Sequence, residues 1–228
     1  MSLQEKHKLV CQQRWDREKA QRVQSILEAA KRVFSSKGFL KATMDEIALE
    51  AEITKPTIYL YFKAKDDLFF TLMVPLINDI RQQFEIIEEK LESGDIRDGR
   101  QLITSLFEAF YHGYQFSPDT FRIIQLFQQQ DLFSELRDEI RADLDDKGRG
   151  NFNLCRRILT RGMDLGIVKK ENVHALADVI WGLIVGIIQL EDTKAYGKKD
   201  RNHLKEATLR LAERLVAEAM NNSDKEAN

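Results

Sequence analysis

Thr43 to Leu68 reads T-M-D-E-I-A-L-E-A-E-I-T-K-P-T-I-Y-L-Y-F-K-A-K-D-D-L. Thr43 is a hydroxyl N-cap and Glu46, three residues on, reaches back to it, so T-M-D-E is a capping box. Met44, Ile47, Ala48 and Ala51 then fall at i, i+3, i+4 and i+7, which is one apolar helical face. Ala51-Glu52-Ile53 is too short for a free loop and reads as a turn. Thr54 is expected to cap a second helix. Pro56 sits in that helix's first turn, where backbone N–H groups lack an intrahelical partner and a missing donor costs little. Ile58, Tyr59 and Phe62 are expected to face inward, and Lys55, Thr57 and Tyr61 outward. Two capped helices joined by a tight turn make a helix-turn-helix, whose second helix is the candidate for a DNA major groove.

Upstream, Val23, Ile26, Leu27, Ala30, Val33 and Phe34 form an amphipathic helix that ends at Ser36-Lys37-Gly38. Gly38 suits the left-handed cap position, and Phe39 can fold back on the helix end. Three small helices then share a minimal core. The segment Arg22 to Leu72 resembles the DNA-binding domain of the TetR/AcrR family of bacterial transcriptional regulators. The resemblance is carried by A-A-K-R-V-F-S-S-K-G-F, by T-M-D-E-I-A and above all by T-I-Y-L-Y-F-K-A-K-D-D-L, and it covers about fifty residues. It implies that Lys55 and Thr57 point at base edges and that Thr43, Tyr61 and Lys65 meet phosphates. With Thr54 and Tyr59 these make the candidate DNA-facing set. Hydroxyls and ammonium groups at helix N-termini suit phosphate. The chain departs from the family at Ala64, a poor cap that Asp66 and Asp67 offset through the helix dipole. It departs again at Pro56, which stiffens the entry to the recognition helix.

The chain has 228 residues, 43% of them hydrophobic and 32% charged, with three prolines. That composition suits a helix-rich protein, and its net charge of −2 does not by itself advertise nucleic acid. The charge is unevenly spread. Residues 1–67 carry 13 Lys/Arg against 10 Asp/Glu, and the remainder 22 against 27. A mildly basic head on an acidic body fits a DNA reader attached to a regulatory domain. Cys11 and Cys155 are isolated from one another and from any zinc-like spacing, so neither metal nor cofactor is expected. The first twenty residues lack the apolar core of a signal peptide, and the apolar run Val179 to Leu190 reads as a buried helix rather than a bilayer span. A cytoplasmic location without membrane contact is therefore expected.

The fold expected is all-α, with an N-terminal three-helix helix-turn-helix domain and a C-terminal helical domain for ligand binding and dimerisation. Residues 1–20 form an N-terminal extension, 21–67 the DNA-binding domain, 68–221 the effector-binding and dimerisation domain, and 222–228 a disordered tail. A fourth helix runs from near Asp66 to Leu91 with Pro75 inside it, and Pro75 is expected to set its bend. Further helices span Asp98 to Phe116 and the region of Phe121 to Phe127. A long one opens at Ser134-Glu135-Leu136 and runs toward Gly166, with Gly148-Arg149-Gly150 as a distortion. Asn172 caps the next, through Leu190, and the last spans Asn202 to Asn221. The basic extension (Lys6, Lys8, Arg14, Arg17, Lys19, Arg22) could reach a minor groove or the backbone, but a frayed, solvated segment is the preferred reading.

Aromatic residues crowd the middle of the chain. Phe107, Phe110, Tyr111, Tyr114 and Phe127, with Arg156 and Trp181, are the candidate effector-binding residues. Phe116, Phe121 and Phe133 belong to the same cluster, and His112, Gln125 and Asn153 join Arg156 as groups that could orient a ligand head. The competing reading is ordinary aromatic core. Gly182, Val185, Gly186 and Gln189 form one face of a helix beside Trp181, and Leu204, Thr208, Leu211, Leu215 and Ala219 form one on the last helix. Two such helices per subunit suit a two-fold, four-helix dimer interface. His7, His112, His174 and His203 are scattered, and neither G-x-S-x-G, a phosphate loop nor H-E-x-x-H occurs, so nothing argues for an enzyme. The partners expected are double-stranded operator DNA, a small, largely apolar effector and a second copy of the chain. The alternative is a protein-interaction module whose three-helix head docks another protein.

Overall fold

The computed structural model describes residues 3–129, 132–194 and 202–222; within these, the side chains of Leu3, Gln4, Gln129, Glu191, Lys194 and residues 202–205 are left undescribed. The expected tail beyond 222 and the side chain of Leu204 fall outside the described residues. The elements run α1 (Leu3–Lys37), α2 (Met44–Glu50), α3 (Lys55–Tyr59), α4 (Lys65–Glu92), α5 (Gly99–Phe116) and α6 (Pro118–Gln129). A 3-10 turn (Leu132–Glu135) leads to α7 (Asp138–Asp164), α8 (Val173–Lys194) and α9 (Asn202–Met220). Among the described residues an isolated bridge between Val168 and Asn221 accompanies these helices, and no strand forms.

Local sequence explains most helix ends. Gly38 takes φ +77°, and its N–H closes on the Phe34 carbonyl at 2.9 Å. The ring of Phe39 returns to within 5.4 Å of Phe34. Asp98 caps α5 through the Gln101 N–H at 2.8 Å, and Asn172 caps α8 through the N–H groups of His174 and Ala175 at 3.0 and 3.1 Å.

Two compact units emerge. One holds residues 1–75 and 119–144, the other 76–118 and 145–228. The expected division gave a head ending at 67; here the first unit reaches Pro75 and takes in a remote stretch of the chain. Pro75 lies inside the uninterrupted α4, at this division.

In the first unit Ile26, Ala30, Phe34, Ile47, Ile58 and Phe62 are buried together as the core of α1 to α3. The N-terminal extension is not frayed; it is the first half of α1. Its Gln, Glu, Lys, Arg and Ala residues favour helix, and pairs four apart support it, Arg14 with Glu18 at 2.8 Å and Gln12 with Asp16 at 3.1 Å.

In the second unit α5 packs against α8 and α9, and α8 against α9. Phe84 of α4 meets Phe110 of α5 edge-on at 4.8 Å. Arg157 and Arg161 on α7 bind Glu88 and Glu92 on α4, with closest contacts of 2.5 and 3.0 Å. These pairs are largely exposed, so each contributes less than about 1 kcal/mol. The Arg157 guanidinium holds the Glu88 carboxyl below its ordinary pKa.

Two expectations for α7 fail. It begins at Asp138 rather than Ser134: Leu132–Glu135 form a 3-10 turn instead, and the Arg137 N–H donates to Asp66 at 3.0 Å. Gly148-Arg149-Gly150 does not distort it. Leu144 and Leu154 are buried on either side, and the Asn151 amide donates to the Ile77 carbonyl at 2.8 Å. That anchoring outweighs the helix cost of about 1 kcal/mol per glycine.

The expected buried helix from Val179 to Leu190 also needs correction. Its window Val173–Leu190 is apolar and long enough to cross a membrane by length and composition, yet only 28% of it is buried. Val179, Gly182, Gly186, Gln189 and Leu190 are exposed, while Leu176, Ala177, Ile180, Ile184 and Ile188 make core.

Two glycines test this packing. A Cβ on Gly99 would strike the backbone carbonyl of Ile167, which has no side-chain freedom to yield, whereas one on Gly148 would meet nothing within 4 Å. Gly99→Ala is expected to cost about 1–3 kcal/mol, and Gly148→Ala to gain up to about 1 kcal/mol, both read from urea unfolding midpoints.

Candidate nucleic-acid interface

The capping box forms as the sequence requires. Thr43 Oγ1 accepts from the Glu46 N–H at 3.2 Å, and Glu46 Oε2 accepts from the Thr43 N–H at 3.1 Å. Lys37 at the end of α1 donates to the other Glu46 oxygen at 2.6 Å. That bond, then the Thr43 N–H, holds the Glu46 carboxyl below its ordinary pKa.

The turn after α2 is a Schellman motif. The Ile53 N–H bonds to the Ala48 carbonyl at 2.9 Å and the Glu52 N–H to the Leu49 carbonyl at 3.0 Å. Glu52 sits at the left-handed position with φ 55°, where glycine is favoured. The short turn forces this conformation, but the residue type at 52 does not announce it.

Along α3 the expected set divides. Thr54 occupies the N-cap by backbone conformation, but its side chain makes no cap bond; its hydroxyl lies 2.8 Å from that of Thr57. Lys55 is exposed and donates to Asp45 of α2 at 2.9 Å, which raises its pKa and keeps it charged. An exposed pair of this kind is weak, so Lys55 can exchange Asp45 for another anion at little cost. Tyr59, expected to face inward, is 43% exposed, while Ile58 and Phe62 do go inward. Thr57 and Tyr61 are half-buried. Leu49 and Leu60 were not singled out from sequence, yet they are 78% and 82% exposed.

Lys65 does not stand free as a phosphate ligand. Its ammonium donates to the carbonyls of Phe39 and Leu40 at 2.9 and 3.2 Å and lies 4.5 Å from the centre of the Phe39 ring. It ties the start of α4 to the turn before α2. Beside it, Asp67 repairs the poor cap at Ala64 by accepting from the N–H groups of Lys63 and Ala64, both at 3.0 Å. Arg137 binds both acids, donating its N–H and Nε to Asp66 at 3.0 and 3.4 Å and its outer nitrogen to Asp67. Phe127 of α6 stacks on Phe69 at 3.8 Å and meets Phe39 edge-on at 4.8 Å. Residues 119–144 thus pack on the base of the helix-turn-helix.

The candidate effector residues do not form one group. Phe127 belongs to the core of the first unit. In the second unit Phe110 and Trp181 lie 5.1 Å apart, with Phe152 within 6.0 Å of both, and the Arg156 guanidinium is 5.6 Å from the Phe152 ring centre. Phe107 and Tyr111 line a separate groove of about 640 Å³ with Lys90, His112 and Arg210. Tyr114 stacks on Tyr111 at 5.7 Å. Phe116 is 52% exposed and lines neither. Two of the expected polar groups carry a buried donor that no protein group accepts, Gln125 Nε2 in the first unit and Arg156 Nε in the second. Among the described residues no cluster of three or more side chains could hold a metal.

The capping box gives a pH test. Because its pKa is lowered on folding, Glu46 contributes stability that is fully present above about pH 4.3, the ordinary glutamate value. That contribution is lost as pH falls through the lower folded value. Glu46→Gln is therefore expected to lower the urea midpoint at pH 7 and to shrink the midpoint difference between pH 7 and pH 3.

Residues 26–72 match the model of a family described as bacterial regulatory proteins, tetR family. The chain is 25% identical over 169 residues to the fatty acid metabolism regulator protein of Bacillus subtilis (strain 168), covering 74% of this chain and 82% of that one. Its fold is similar to that of PfmR, a TetR family transcriptional regulator from Thermus thermophilus, with a TM-score of 0.67 at 18% identity over 85% and 97% of the two chains. It is also similar to that of the transcriptional regulator FadR from Bacillus subtilis, solved in complex with stearoyl-CoA, with a TM-score of 0.58 at 22% identity over 83% and 96%. A capped helix-turn-helix on an otherwise helical body is what this chain shares with these proteins: its residues 26–72 match the tetR family model, and its fold is similar to that of TetR family regulators.

Proposed function

We propose that this regulator acts as a homodimeric repressor, occupying a near-palindromic operator and leaving it when an effector binds its second unit. The observation that carries the DNA reading is the helix-turn-helix surface, where Lys55 and Tyr59 stand exposed on α3 with Thr57 half-buried between them. On this reading Lys55, Thr57 and Tyr59 read bases, while Thr43, Thr54 and Tyr61 position the head on phosphates. Lys65 contributes by fixing the head's shape. The protein acts in the cytoplasm, where its DNA lies, and not as an enzyme; burial pushes the Cys155 thiol up to about 12, which makes it a poor nucleophile.

The dimer reading is supported by the outer faces of α8 and α9. A Cβ on Gly182 or Gly186 would meet nothing within 4 Å, so these glycines leave room for a second helix rather than serving packing within one chain. Val179, Leu190, Leu211 and Leu215 are 47–60% exposed, and Val185 and Thr208 are half-buried. Such a face calls for a partner, and Gln189 and Asp178 on its exposed side suit a protein partner better than lipid.

The effector is assigned to the acyl-chain class. Support comes from the relative named as a fatty acid metabolism regulator, from the neighbour solved with stearoyl-CoA, and from aromatic residues beside the unsatisfied Arg156 donor. An apolar ligand with a polar or anionic head would satisfy both features.

Operator fragments selected from genomic DNA test the head. Thr57→Ala is expected to cost about 1–3 kcal/mol on the selected duplex and little on a scrambled one. Equal losses on both would remove Thr57 from base reading, and salt-insensitive binding without sequence preference would favour a protein-docking head. Stearoyl-CoA is expected to raise the melting temperature by mass action and to release the duplex. If a panel of acyl-CoAs and free fatty acids gave neither effect, the effector class would be wrong.

A further inference from the structure

The side of α1 that builds the head does not end where the head ends. Ile26, Ala30 and Val33 are buried on it. Counting toward the N-terminus from Ile26 by four and three residues in turn gives Arg22, Lys19, Trp15, Gln12 and Lys8 along the same line. All five are exposed, Trp15 at 56%. At Arg22 the stripe changes from apolar to cationic while the helix continues unbroken.

The nearby carboxylates are engaged by other side chains rather than by these cations. Glu18 is engaged by Arg14 at 2.8 Å, and Asp16 accepts from Gln12 at 3.1 Å. Among the described residues Lys8, Lys19 and Arg22 form no ion pair, and the Lys19 ammonium instead faces the Trp15 ring, 5.2 Å from its centroid. The stripe also has a definite neighbour. Trp15, Glu18, Lys19 and Arg22 line a groove of about 460 Å³ whose other wall is Leu60 and Tyr61, the residues that follow α3, so two cations stand there against one acid that Arg14 already holds. The unpaired positive charge therefore lies beside the end of the recognition helix.

Shape narrows the partner. Residues 3–22 form a helical rod about 30 Å long and, with side chains, about 10–12 Å wide. The minor groove is about 6 Å wide, so this helix cannot enter it as an extended basic arm does. A rod with cations along one side can instead lie against a line of phosphates and release their counterions.

We propose that the first half of α1 is a second DNA-binding element, laying the Lys8, Lys19 and Arg22 stripe along the phosphate backbone that flanks the site held by α3. Trp15 supports the Lys19 ammonium. The proposal rests on the reading of α2 and α3 as a DNA-binding head. It gives the regulator a longer footprint than the head alone and a steeper salt dependence without added sequence specificity.

The test uses the full chain and the triple variant Lys8→Gln, Lys19→Gln, Arg22→Gln, with circular dichroism to verify that the helix persists. Affinities are measured over a range of salt on the selected operator alone and on the same operator with about one turn of duplex, about 10 base pairs, added at each side. On the longer duplex the variant is expected to bind at least tenfold more weakly, with a salt slope reduced by about 0.9 for each phosphate that is no longer neutralised. The loss on the bare operator should be smaller, and Lys19→Arg should keep the original slope. If the unaltered protein binds the operator and the triple variant matches it on both duplexes at all salts, this inference is overturned and the head reading stands. A change in sedimentation with unchanged slopes would overturn it in favour of a self-association surface. If the unaltered protein bound no duplex, the head reading and this inference would fall together.

Discussion

The DNA-binding head depends on a clamp at the base of α4. The core shared by α1, the short α2 and α3 and their turns is too small to be stable alone with any margin, since domains of this size bury only about 60% of their chain's surface. Residues 119–144 supply the rest. Phe127 stacks on Phe69 and meets Phe39, while Arg137 grips Asp66 and Asp67 in the first turn of α4. Asp66 is only 9% exposed, so taking Arg137 away would leave a poorly solvated carboxylate unpaired. Lys65, reaching from that same turn to the carbonyls before α2, carries the constraint into the helix-turn-helix.

This arrangement suits a regulator. The segment that completes the head lies far from it in sequence, and α4 and α7 each contribute residues to both compact units. The half-exposed α8 and the open surface at Gly182 and Gly186 fit the same picture. In an isolated chain they are unused apolar area; on the dimer reading a second copy of the chain would cover them.

What was legible in the sequence was local. Thr43 with Glu46, Gly38, Asp98 and Asn172 act on backbone groups within a few residues, so their spacing alone reveals them. The carbonyl partners of Lys65 were not legible because they lie more than twenty residues earlier, and a lysine near a helix start looks the same whether it meets phosphate or carbonyl. Arg137, just before α7, bonds to Asp66, seventy-one residues away, a contact that local spacing does not reveal. Phe127 counted as one more aromatic of an effector cluster until its stacking on Phe69 placed it under the head. The helical extension was underestimated because it lacks an apolar face, the usual sign of a packed helix; ion pairs and intrinsic propensity support it instead. Glu52 hides a left-handed residue because the turn length, not the residue type, dictates it.

Hydrogen exchange on the Arg137→Ala variant tests most directly whether the head is completed by the 119–144 segment. If the clamp holds the head together, amides of α2, α3 and the first turns of α4 should exchange faster than in the unaltered protein, along with those around residues 132–141. Faster exchange confined to 132–141, with α2 and α3 as protected as before, would show that the head stands by itself and would contradict this account.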